Sequence, residues 1–117
     1  MNEASNGGSR QAYDRDKLVE LFGDDPRTLA EVEREFLDTA RDAAREIKDT
    51  DDFTAVARAA HRLKGASGMI GALALRQIAE AVERAAKAED LPTVRRLREL
   101  FDREVRRVAE QAGLAVG

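Results

Sequence analysis

The stretch DDPRTLAEVEREFLDTARDAAREIKDTDD, residues 24–52, decides the class of fold. Leu29, Val32, Phe36, Ala40, Ala43 and Ile47 recur every three or four residues, the period that lines one face of an α-helix. Asp25 is a residue type that caps a helix N-terminus. Pro26 follows at the first helical position, where a missing backbone N–H costs nothing. KDTDD then breaks the pattern and offers Thr50 or Asp51 as the cap of the next helix.

The same period runs outward from there. Upstream, DRDKLVELFG (residues 14–23) reads as a short helix stopped by Gly23. Downstream, Phe53, Val56, Ala60, Leu63, Ser67 and Ile70 form a second stripe, which Gly71 ends. Leu75, Ile78, Val82 and Ala85 or Ala86 form a third. After the break at AEDLP, Val94, Leu97, Phe101, Val105 and Val108 form a fourth. Four amphipathic helices on short loops must bury their stripes against one another. The expected fold is therefore all-α, an antiparallel four-helix bundle with a short additional N-terminal helix. Residues 1–14, polar and rich in Gly and Ser at their start, read as a flexible tail, and residues 15–114 as the domain.

Composition removes several classes of function. The 117 residues include no cysteine, which excludes disulfides, zinc–thiolate sites and cysteine nucleophiles, and fits a cytoplasmic location. No apolar run reaches the ~20 residues of a membrane span. The net charge of −3 argues against bulk nucleic-acid binding. The basic run RRLRELFDREVRR (residues 95–107) interleaves its arginines with Glu and Asp, as a solvated helix face does. No Gly-rich strand-to-helix loop is present to cradle a nucleotide phosphate.

The chemistry concentrates in AAHRLKGASGMIGAL, residues 59–73, which holds the only histidine. On a helical wheel His61 falls roughly 130° from the centre of its stripe, toward solvent. Ala57, Lys64, Gly65 and Gly68 are its neighbours on that face. An interior glycine costs a helix about 0.5–1 kcal/mol relative to alanine, so the two glycines need a reason. Close helix–helix contact is one reading, but both align with the histidine rather than with the apolar stripe. The other is that small residues clear a path to the imidazole. Lys64 is either a solvated lysine or a cation beside a group that becomes negative. Ser67 points inward, six residues from His61, which excludes a serine–histidine nucleophile. One histidine among scattered carboxylates makes no metal site. An imidazole that accepts a phosphoryl group needs only access, orientation and a nearby cation.

These residues resemble a known signature. AHRLKGASGMIGALAL (residues 60–75) is similar to the pattern A-H-x-L-K-G-x-S-x-x-x-G-A-x-x-L of histidine-containing phosphotransfer (Hpt) domains, matching at Ala60, His61, Leu63, Lys64, Gly65, Ser67, Gly71, Ala72 and Leu75. LFGDDPRTLAEVEREFL and AEAVERAAKAEDL resemble the opening helix region and the helix facing the histidine. The resemblance covers most of residues 16–112.

The resemblance implies a phosphocarrier, not an enzyme with its own kinase chemistry. His61 is then the phospho-acceptor, with Lys64 beside the phosphoryl group and Gly65 leaving room for the partner; the small-residue clearing around the histidine adds Ala57 and Gly68 to the expected partner face. Glu83 matches a position where the family places a Gln or Glu able to hydrogen-bond the inner ring nitrogen. Read alone, it is equally an ordinary exposed helix glutamate. The implied partners are the receiver domain of a hybrid histidine kinase and that of a response regulator. No cofactor is implied here, Mg²⁺ being expected on the receiver, and a monomer is expected. Met1 and the polar tail point to a free-standing protein. A helical adaptor that binds receivers without accepting phosphate stands as the alternative, and a dimerisation bundle as a third reading. Arg58 and Arg62 have no assigned role.

Overall fold

The computed structural model describes residues 11–114 of the chain. Its helices, in chain order, are α1 (Arg15–Phe22), α2 (Pro26–Asp49), α3 (Phe53–Met69), α4 (Leu73–Lys87) and α5 (Leu91–Ala112). Neighbours in sequence pack together, and α5 closes the ring on α2. Short turns between α2 and α5 reverse the chain each time. The expected all-α, antiparallel four-helix bundle with a short N-terminal helix is what the chain forms.

Local chemistry explains the boundaries. Asp25 accepts from the Arg27 amide at 3.3 Å, and Pro26 opens α2. The start of α3 differs from the expected cap at Thr50 or Asp51. Asp52 caps it, accepting from the Thr54 amide at 3.0 Å. Thr50 closes α2 in extended conformation, and its hydroxyl accepts from the Asp52 amide. The chain therefore uses residues 50 and 51 to turn, and only Asp52 is free to cap. Gly71 has a φ of +69°, and a Cβ built on it would lie 2.7 Å from Cβ of Asp14. Conformation and contact both require glycine there.

The stripes read from the sequence form the core. Leu29, Phe36, Ala40, Ala43, Ile47, Val56, Ala60, Leu63, Ser67, Ile70, Leu75, Val82, Val94, Phe101, Val105 and Val108 are buried, as are both Ala85 and Ala86. Val32, Phe53, Ile78 and Leu97 sit half-buried at the stripe edges. The α3–α4 pair has the most extensive contact of the bundle. Ala59, Ala60, Ala79 and Ala86 are buried on these two helices, and their small side chains let the backbones approach closely.

The expected tail ends earlier than residue 14. Ala12 and Tyr13 are buried. The Gln111 side chain accepts from the Ala12 amide at 2.6 Å and donates to the Tyr13 carbonyl at 3.1 Å, and the Asp14 amide donates to the Ile70 carbonyl at 3.0 Å. The Tyr13 hydroxyl donates to buried Glu33, which Arg15 also approaches at 3.5 Å. Burial, reinforced by the Glu33 carboxylate, pushes the Tyr13 hydroxyl well above its usual pKa. A tyrosine ring and its paired glutamate thus pin the segment that leads into α1. Residues 1–10, where the rest of the expected tail falls, lie outside the described residues.

Candidate phosphotransfer site

His61 lies midway along α3, with its side chain 67% exposed. The wheel position read from the sequence is borne out: Ala60 and Leu63 on either side of it in the chain turn inward and are buried. Glu83, on α4, is not the exposed helix glutamate that the bland reading describes. Its side chain is only 9% exposed, and Oε2 lies 3.0 Å from Nδ1 of His61. The alanine-mediated approach of α3 to α4 is what brings a carboxylate of such short reach under the ring.

Two ammonium groups share that carboxylate. Lys64 places Nζ 3.0 Å from Oε1, and Lys87, one turn along α4 from Glu83, places Nζ 3.2 Å from Oε2. Burial alone raises the Glu83 carboxyl, but hydrogen bonds from Lys64, Lys87 and His61 outweigh it and hold the pKa down at about 2. Glu83 is then ionised at any physiological pH and can only accept. The proton in the His61–Glu83 bond therefore sits on Nδ1, which leaves the lone pair of the neutral ring on Nε2. Among the described residues Nε2 has no hydrogen-bond partner.

The glycines beside His61 differ from one another. A Cβ built on Gly65 would meet nothing within 4 Å, so neither helix packing nor backbone conformation calls for glycine there. At Gly68 the Arg76 side chain lies across the helix, with Cδ and Nε 3.4 Å from a built Cβ. Ala57 packs half-buried against the core. Arg62 pairs with Glu46 at 2.5 Å, an exposed link from α3 to α2, whereas Arg58 is exposed without an ion pair among the described residues.

On α3 of this helical bundle an exposed imidazole has one nitrogen anchored to a buried carboxylate from α4, a lysine one turn away and an open glycine beside it. The model of the Hpt domain family matches residues 17–111. The chain belongs to the Hpt domain family. Hpt domains are phosphocarrier modules of two-component phosphorelays, where they work with receiver domains. No curated protein and no solved structure matches the chain.

The sequence singled out His61, Lys64 and Glu83, and this Hpt domain brings all three together. Lys87 was missed, although its spacing of four from Glu83 on one helix is the signal for such a pair. Arg76 and Lys17, both at Gly68, were also missed, because contacts between helices leave no local pattern. Among the described residues no group of three or more His, Cys, Asp or Glu side chains is arranged to hold a metal ion, and no helix is long and apolar enough to cross a membrane.

Proposed function

We propose that His61 accepts a phosphoryl group on Nε2 from the aspartyl phosphate of a hybrid kinase's receiver domain and passes it to the receiver of a response regulator, reversibly, in the cytoplasm and as a monomer. The observation that carries this is the His61–Glu83 bond: it supports a ring whose inner nitrogen is held protonated and whose outer nitrogen is a free nucleophile.

The transfer balances without moving a proton. The Nε2 lone pair attacks phosphorus, an N–P bond forms, and the P–O bond to the aspartyl carboxylate breaks. The bonding electrons leave with that carboxylate. The ring keeps its Nδ1 proton and becomes cationic, and the ionised Glu83 stabilises that charge where it develops. Lys64 has further N–H donors beyond its bond to Glu83, and one of these serves the phosphoryl oxygens. Gly65 leaves room for the incoming receiver loop. The divalent cation that neutralises the transferred group belongs to the receiver, and catalytic power sits largely with that partner.

The test is incubation with receiver domains phosphorylated by acetyl phosphate. An acid-labile, base-stable label on wild type that is absent from His61→Gln supports the reading. Receiver binding with no such label favours the adaptor instead.

A further inference from the structure

Charge on the His61 face is unevenly committed. Lys64 and Lys87 are both tied to Glu83. Two other cations converge on Gly68 and have no carboxylate. Arg76, from the first turn of α4, lies across Gly68, its Cδ and Nε each 3.4 Å from where a Cβ on residue 68 would stand. Lys17 reaches over from α1 and donates from Nζ to the Gly68 carbonyl at 3.1 Å. Neither makes an ion pair among the described residues, and Arg76 is exposed. A side chain on residue 68 would occupy the ground that the Arg76 stem covers. Gly68 thus does a different job from Gly65: it seats an arginine instead of leaving a gap.

We infer that Arg76, seated on Gly68 and flanked by Lys17, is a positioning residue that grips carboxylates on the rim of the docking receiver and so selects and orients it. This rests on the phosphotransfer reading of His61. Gly68 lies seven residues beyond His61 on the same face, about 10 Å along the helix axis. At that distance the guanidinium does not touch a phosphoryl group on Nε2, but it falls within the footprint of any protein partner centred there. A domain with a net charge of −3 repels an anionic partner overall, so an uncompensated pole beside the site steers its approach. An arginine keeps its charge and offers a planar fork that matches a carboxylate in two-point contact, which gives orientation as well as attraction.

The experiment uses the whole chain and the purified receiver domain that transfers fastest from a panel charged with acetyl phosphate. Arg76→Ala should raise the KM for the phosphorylated receiver roughly three- to tenfold at low salt with little change in kcat, and Arg76→Glu should raise it further. Arg76→Lys should recover part of the loss, and the difference from wild type should shrink as ionic strength rises. Labelling of His61 by phosphoramidate should stay at the wild-type rate in all three variants, because that donor is too small to reach the pole. Arg103→Glu, an exposed charge reversal on α5 across the bundle, is the control for net charge. Arg76→Glu within twofold of wild type at low salt overturns the inference, and so does an equal loss in Arg103→Glu. A wild-type protein that takes no label from either donor overturns the phosphotransfer reading itself, a result distinct from the loss of receiver dependence alone.

Discussion

Nδ1 of His61 and Oε2 of Glu83 meet at 3.0 Å across the α3–α4 seam, although 22 residues separate them in sequence. The bond links packing to chemistry. Small core residues bring the helices together, the carboxylate becomes buried, and two lysines keep it ionised. The ring is thereby held with its outer nitrogen free.

Glu83→Gln keeps the shape of the side chain and removes its charge. A charge-assisted hydrogen bond contributes about 1.5–3 kcal/mol, so transfer from a receiver should slow roughly ten- to a hundredfold. The ring should also lose its fixed tautomer. Nitrogen NMR of the imidazole should show mainly the Nδ1-protonated form in wild type and a mixture in the variant. An unchanged tautomer ratio shows that Glu83 does not orient the ring.

The same carboxylate makes stability depend on acid. Its pKa falls from 4.5 to about 2 on folding, so the unfolded state takes up a proton first as pH drops. Its contribution is complete above about pH 5 and is lost as pH falls through 4.5 toward 2. Urea unfolding of wild type and Glu83→Gln should therefore show a stability gap that is constant near neutrality and narrows across that acid window. A gap independent of pH contradicts the ionised, lysine-bound carboxylate.

At Gly65 a side chain meets open space. Gly65→Arg should stabilise the isolated domain by a few tenths of a kcal/mol to about one. The same change should cut transfer from a receiver severely and leave phosphoramidate labelling much less affected. Normal transfer from a receiver in Gly65→Arg removes access as the reason for the glycine.

Tyr13→Ala removes a buried ring and leaves Glu33 without its hydroxyl donor. Large-to-small changes of buried aromatics cost about 3–5 kcal/mol, so a drop of that size in unfolding free energy is expected. Tyr13→Phe should cost less, about 1–3 kcal/mol, because only the hydrogen bond is lost. A loss below 1 kcal/mol in Tyr13→Ala means that the segment leading into α1 is not part of the cooperative unit.

The bundle was readable because each long helix announces itself locally. The stripe through Leu29, Phe36 and Ile47, the Asp25–Pro26 start and the stop at Gly71 are short-range patterns with short-range causes. His61 was placed on the exposed face by the same helical arithmetic. What escaped depends on distance. Tyr13 looks like part of a polar tail until Glu33 and Gln111, on two other helices, are seen around it. Glu83 was singled out through the family resemblance, but its own helix pattern leaves an exposed glutamate equally open, because its burial comes from the neighbouring helix. The seat of Arg76 on Gly68 is invisible because the angle between α3 and α4 is set by the whole core.

The most direct test of the account is long-range nitrogen and phosphorus NMR of the phosphorylated protein. The expected spectrum places phosphorus on Nε2 of His61 and a proton on Nδ1, with the proton exchanging more slowly in wild type than in Glu83→Gln. Phosphorus on Nδ1, or on any residue other than His61, contradicts it.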